Sequence, residues 1–188
     1  MGAMLRSRDG AGEAMTKLSV FIASSVDGYI ATLDDRLDWL ESAGASDEDY
    51  GFDTFLASVD ALAMGRGTYD HIAHLDPLPF GPRDVFVFTH RPPAPRAEVT
   101  FWDRTPLDAL TSWEARGYER VYVDGGALIS SFLAVGLIDD FVLTRVPVLL
   151  GEGRPLFHPV ARTGALHLDD VEVFASGMVT LRYSRVRD

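Results

Sequence analysis

The stretch "DALAMGRGTY", Asp60–Tyr69, runs a short apolar segment straight into Gly65, Arg66, Gly67 and Thr68. An apolar run this short, bounded by glycine, reads as a strand covered on both faces. The residues after it, "GTYDHIAHL" (67–75), read as a short helix. A buried strand that turns into a helix through glycine is the repeating unit of an α/β sheet. In such sheets ligands gather at the carboxyl ends of strands, where helix N-termini expose unpaired N–H groups and a partial positive charge.

The same unit recurs downstream. "RVYVDGG" (120–126) reads as a strand entering a turn, and "ALISSFLAVG" (127–136) as a helix stopped by Gly136. "KLSVFIASS" (17–25) is apolar on both phases of a two-residue repeat, which marks a central strand. "VDGYIATLDDRLDWL" (26–40) carries an Asp-Gly turn and no sustained helical period, so a loop is expected with a short helix near Trp39. "SDEDYGFDTFLASV" (46–59) places Phe52, Phe55, Leu56 and Val59 at helical spacing behind acidic residues, which predicts an amphipathic helix. "DVFVFTH" (84–90) and "VTFW" (99–102) read as strands. "TPLDALTSWEARGY" (105–118) reads as a helix with Thr105 as N-cap and Pro106 at the first helical position. "DDFVLTRVPVLLGEG" (139–153) reads as a long strand interrupted near Pro147. "LHLDDVEVFASGMVTLRYSRV" (166–186) alternates around Ser176-Gly177 as a β-hairpin does. The fold class is therefore α/β, with a mixed, largely parallel central sheet, helices on both faces and a C-terminal antiparallel hairpin.

At 188 residues the chain has room for one domain, expected over residues 16–188 behind a disordered tail over 1–15. A formal charge of -11 argues against a nucleic-acid partner, because such binding needs clustered basic surface. A small anion held locally by backbone amides and a few arginines is not excluded. Cysteine is absent, which removes disulfides and thiolate chemistry and points to a reducing cytoplasm. No apolar stretch has the length of a membrane helix. His71 and His74 stand three apart without a third ligand, so no metal is expected.

Gly125 and Gly126 would let a phosphate approach the main chain, and Arg66 adds a forked cation for it. Thr89, His90 and Arg91 end a third strand, where Arg91 is placed to neutralise a further phosphate such as the 2′-phosphate of a dinucleotide. The fingerprint G-x-G-x-x-G is missing, so any dinucleotide binds through other geometry.

"IASSVDGYIA", "AMGRGTY" and "VDGGALISSFLAVGLIDDFVLTRVPVLLGEGRPLF" resemble, in order and spacing, the dihydrofolate reductase-like superfamily. Within it the chain looks most like the branch that includes the reductase domain of bifunctional riboflavin-biosynthesis proteins, the RibD C-terminal domain. The resemblance spans roughly residues 17 to 185. It implies a three-layer fold, NADPH as hydride donor, and a cleft between the first loop and the helix of residues 47–59. It also implies that Gly65, Arg66 and Thr68 hold cofactor phosphate and that Thr89, His90 and Arg91 meet the adenosine end. Gly125, Gly126, Ala127, Leu128 and Ile129 would lie over the pyrophosphate, and Ala23 and Ile30 beside the nicotinamide.

Two carboxylates are catalytic candidates. Asp49 falls at the offset of the acid that faces the pterin in dihydrofolate reductase, and its competing role is that of a helix N-terminal acid. Asp27 lies in the first-loop motif, where ordering the turn is the favoured role. Asp124 is read as stiffening the strand end. The function expected is an NADPH-dependent reduction of a small pyrimidine- or pterin-like heterocycle. The rival is a catalytically inactive nucleotide-binding module, which a cleft filled by Trp39 or Tyr50 would favour and an open pocket with a carboxylate would oppose. Apolar surface on the final hairpin and on "DDFVLTRVPVLL" suggests a homodimer.

Overall fold

The computed structural model describes residues 15–44, 49–159 and 164–186. In chain order the first half comprises β1 (Lys17–Ser25), β2 (Tyr29–Ala31), α1 (Asp38–Ser42), α2 (Phe52–Ala57), β3 (Ala61–Gly65), α3 (Arg66–Ile72), β4 (Asp84–Phe88) and β5 (Val99–Trp102). The second half comprises α4 (Pro106–Ala115), β6 (Arg120–Asp124), α5 (Gly126–Ala134), β7 (Asp140–Val146), β8 (Arg154–Pro155), β9 (Leu166–Val173) and β10 (Val179–Arg185).

Eight strands form one sheet in the order β5-β4-β3-β6-β1-β7-β10-β9, and β2 and β8 pair separately. From β5 to β7 every pairing is parallel, and β10 and β9 add antiparallel at one edge. Strand β3 shows why the centre is covered on both sides. Ala61 and Ala63 join one core with Trp113, Phe132 and Phe86, while Leu62 and Met64 join another with Phe55, Tyr69 and Val87. Small side chains admit α4 and α5 closely on the first face, and large ones fill the space under α2 and α3 on the second. Trp113 of α4 lies between Trp102 and Phe132, each ring centroid 5.9 Å away.

Several expectations hold in detail. Thr105 caps α4, its hydroxyl oxygen accepting from the Asp108 N–H, with Pro106 leading the helix. The hairpin turns at Gly177, whose φ of 85° suits glycine. Others need correction. The helix expected over 46–59 is confined to Phe52–Ala57, because Tyr50 at φ 52° and Gly51 at φ 82° turn the chain out of the helical path; residues 45–48 lie outside the described residues. The long strand expected over 139–153 ends at Val146, before Pro147 removes a donor. Just beyond that stretch the chain forms β8, which pairs with β2, a contact that nothing in the sequence announced. The expected tail lies outside the described residues except for Met15. Among the described residues no helix is long and apolar enough to cross a membrane.

Candidate functional site

Strands β3 and β6 are parallel neighbours, with Met64 opposite Asp124, so their carboxyl ends finish side by side. Each end passes directly into a helix that has no side-chain cap. Gly125 adopts φ 93°, and a Cβ built on it would lie 2.7 Å from Thr68 Oγ1 and 3.7 Å from the Gly65 nitrogen. The two glycine turns therefore touch. Both open onto one cleft of about 900 Å³.

Ala23, Ile30, Gly65, Arg66, Thr68, Thr89, His90, Gly125, Gly126, Ala127 and Leu128 all line that cleft. Two of the expected residues do not. Ile129 is fully buried in the core beneath α5. Arg91 sits outside the lining; its N–H donates to Thr89 Oγ1 and its carbonyl accepts from Arg66. The guanidinium that the structure brings to this end of the cleft is Arg104, lying 4.6 Å over the Trp102 ring just beyond β5. Arg66 is held by its neighbours, with Nε on Asp70 at 2.6 Å and NH1 on the Arg91 carbonyl at 2.9 Å.

The opposite wall comes from the first loop and β8. Ile30, Ala31, Asp35, Leu37 and Leu40 line it, together with Arg154 and Pro155. Arg154 grips Asp35 through two hydrogen bonds of 2.6 and 3.0 Å, which hold the Asp35 carboxyl below the usual carboxylate range and tie the loop to β8. Helix α2, expected to form a wall, does not reach the cleft. Phe21 and Tyr122 stand between them, packed edge-on or tilted against Phe52 and Phe55 with centroids 5.0–5.3 Å apart in three of the ring pairs.

Both catalytic candidates take structural positions. Asp49 is exposed and outside the lining, and its Oδ1 accepts the Asp53 N–H at the start of α2. That is the helix-terminal role. Asp27 accepts from the Ser25 hydroxyl and from the Leu150 and Gly151 N–H groups, and these bonds, the Ser25 hydroxyl foremost, lower its pKa. It pins the loop after β1 to the segment after β7.

Asp124 lines the cleft as Asp35 and Asp103 do, and of these it is the one placed between the two glycine turns. Burial pushes its pKa up to about 6, against the Gly125 N–H, which donates to Oδ1 at 2.8 Å and pulls it down. Tyr122 also lines the cleft, and its hydroxyl donates to the Phe21 carbonyl. The sequence signal for Asp124 was its place between a buried strand and a diglycine. Its bond from the Gly125 N–H agrees with the strand-end role read from the sequence, and its place in the lining is what that reading did not include.

Residues 81–180 match the family model of the RibD C-terminal domain. The uncharacterized protein YwjB of Bacillus subtilis (strain 168) is 34% identical over 172 residues, covering 90% of this chain and 98% of that protein. The chain belongs to the RibD C-terminal domain family. A crystal structure of a candidate riboflavin biosynthesis protein from Shewanella sp. PV-4 superposes on this RibD C-terminal domain with a TM-score of 0.84 and 35% identity, covering 92% of this chain and all of that one. The fold is shared more widely. A diaminohydroxyphosphoribosylaminopyrimidine deaminase/5-amino-6-(5-phosphoribosylamino)uracil reductase of Thermotoga maritima gives a TM-score of 0.70 at 17% identity, with 92% of this chain matching 57% of that chain. The three-layer α/β architecture of the dihydrofolate reductase-like class, with its antiparallel β9–β10 edge, is thus the family's own.

Proposed function

We propose that this RibD C-terminal domain is an NADPH-dependent reductase that delivers a hydride to a small heterocyclic substrate, pyrimidine- or pterin-like. The observation that carries this reading is the contact between the two glycine turns, open to one cleft and floored by Asp124. The residues present suit a dinucleotide. A Cβ at Gly65 or Gly67 would meet nothing within 4 Å, so there is room in front of that turn, and Gly125 leaves bare a cradle that a side chain would fill. Gly65, Arg66, Gly67 and Thr68, with the start of α5, would hold the pyrophosphate, and Thr89, His90 and Arg104 the adenosine end. Ala23 and Ile30 would flank the nicotinamide.

Bound NADPH supplies the hydride. The chain's own task is to position the acceptor and provide the matching proton. Reduction of a C=N or C=O bond adds hydride to carbon and leaves charge on the heteroatom, which must be protonated. Asp124, with a pKa near 6, can hold that proton close to neutrality and release it to a heteroatom on the cleft floor. Trp39 and Tyr50 pack with Val146 and Met178 away from the cleft, so the arrangement that would favour an inactive nucleotide-binding module is not present. A cytoplasmic location goes with this reading.

Titrating NADPH against tryptophan fluorescence, with Trp102 in the lining, tests the cofactor half. Arg66→Ala is expected to weaken NADPH by about 1–3 kcal/mol, the cost of losing a hydrogen bond to a charged group. Unchanged affinity would remove Arg66 from the phosphate site. A second comparison separates the two arginines near β5. Arg104→Ala should lower NADPH affinity more than NADH affinity, and Arg91→Ala should alter neither, as read from paired dissociation constants.

A further inference from the structure

One end of the cleft is built from the tips of β4 and β5. Phe88 and Trp102 are the last residues that the two strands pair, and past them the tips stay joined. The Thr89 N–H donates to the Trp102 carbonyl at 2.8 Å, and one residue further on His90 Nδ1 meets Asp103 Oδ1 at 2.7 Å. An ionised carboxylate only accepts, so the hydrogen of that bond sits on Nδ1. The Asp103 carboxylate is thereby held on the imidazole, at the tip of the neighbouring strand.

Arg104, the next residue, is fixed separately. Its NH1 donates to Ser112 Oγ of α4 at 2.6 Å, and its guanidinium lies 4.6 Å over the Trp102 ring. Opposite charges thus stand on consecutive residues, and both line the cleft together with Thr89 and His90. The neighbouring cations do not separate them: Arg66 is bonded to Asp70 and to the Arg91 carbonyl, and Arg91 stays outside the lining. A released Asp103 would offset Arg104 and repel an incoming phosphate, over a range of about 8 Å at physiological ionic strength. Held on His90, which is cationic when protonated, its charge is offset and its direction fixed. A carboxylate at this end has a second use, since it can accept the 2′-hydroxyl of an unphosphorylated ribose.

We propose that Asp103, restrained by His90, determines which dinucleotide this end of the cleft accepts. Held on the imidazole, it leaves Arg104 to take a 2′-phosphate; released, it opposes that phosphate and accepts a 2′-hydroxyl instead. This rests on the reductase reading, in which the adenosine lies against Thr89, His90 and Arg104. His90 then acts through Asp103 as a positioning residue, and Asp103 sets the specificity. The pair is not a structural prop. Its side chains are 89% and 66% exposed, and an ion pair so placed contributes little to stability. The Thr89–Trp102 bond joins the two tips without it.

Isothermal titration of the full chain with NADPH and with NADH tests this. Asp103→Asn should tighten NADPH about two- to fivefold and leave NADH unchanged or weaker. His90→Ala should weaken NADPH about three- to tenfold and leave NADH unchanged or tighter. Combining the two substitutions should recover most of the His90→Ala loss, because the carboxylate that the imidazole restrained is gone. The unliganded Tm should be the same in all four proteins. A His90→Ala loss that persists undiminished in the double variant would mean that the imidazole touches the phosphate itself, and it overturns the proposal. So does an NADPH-to-NADH preference that Asp103→Asn leaves where it was, with the reductase reading intact. A wild type that binds neither dinucleotide overturns that reading and this proposal together.

Discussion

Asp124→Asn is expected to lower kcat by about 10²–10⁴-fold, the usual worth of a positioned proton donor, with NADPH affinity changed only a few-fold. The substitution keeps an oxygen that can accept the Gly125 N–H, so the glycine turn should keep its shape while the ionisable proton is lost. The wild-type pH profile provides an independent check. A donor with a pKa near 6 makes kcat/KM fall as pH rises above about 6, and the variant's residual rate should lack that limb. Stability should move the other way. The folded chain keeps a proton on Asp124 that an unfolded carboxyl, with its ordinary value of 3.8, has already released between about 4 and 6. Wild-type stability is therefore fullest at acid pH, falls as pH rises through that window and levels off above it, by up to about 2–3 kcal/mol. Asp124→Asn removes the titration, so its Tm should exceed the wild type's at pH 7.5 and approach it near pH 4. A variant with near-normal kcat, or an unchanged Tm difference across that range, would show that Asp124 neither donates the proton nor is held in its strained protonation balance.

The sequence made the central sheet legible because each of its strands carries its own evidence. β3 and β6 announce themselves as apolar runs that end on glycine, and α4 begins with a capping threonine and a proline. All the cofactor-side residues drawn from those runs line the cleft, apart from Ile129 and Arg91. What stayed hidden depends on distant segments meeting. β2 and β8 have three and two residues, too few for any periodicity, and they find each other through β-pairing and the Asp35–Arg154 clasp. Arg104 displaced Arg91 for a similar reason. Both follow strands, but β5 pairs in register beside β4 and extends its end over the cleft, while Arg91 turns away with its N–H on Thr89. Asp49 misled because an offset counted along the chain presumes a continuous helix, and the left-handed residues Tyr50 and Gly51 interrupt it.

Two glycines that look equivalent in sequence should respond oppositely to a single methyl group. Gly126→Ala is expected to lower stability by about 2–3 kcal/mol and to weaken NADPH binding by at least a hundredfold, whereas Gly67→Ala should leave stability unchanged or raise it by about 0.5–1 kcal/mol through helix propensity. At Gly126 the new Cβ would fall well inside 3 Å of the Pro155 carbonyl oxygen and 3.0 Å from that of Leu156. Those are backbone atoms, which cannot swing aside as a side chain can. β8 is also held in place: Gly153, just before it, packs against the Ala31 carbonyl so closely that a Cβ there would also collide. The methyl must therefore push the start of α5 away from β8, separating the bare amides from the turn at Gly65. At Gly67 the methyl meets nothing within 4 Å and projects into space that only a ligand would use. Any loss it causes should appear in NADPH affinity alone. Thermal melts with and without NADPH distinguish the cases, since bound ligand raises Tm by more the more tightly it binds. If Gly67→Ala lost stability without NADPH, or bound it as tightly as the wild type, the pyrophosphate would not lie against that turn.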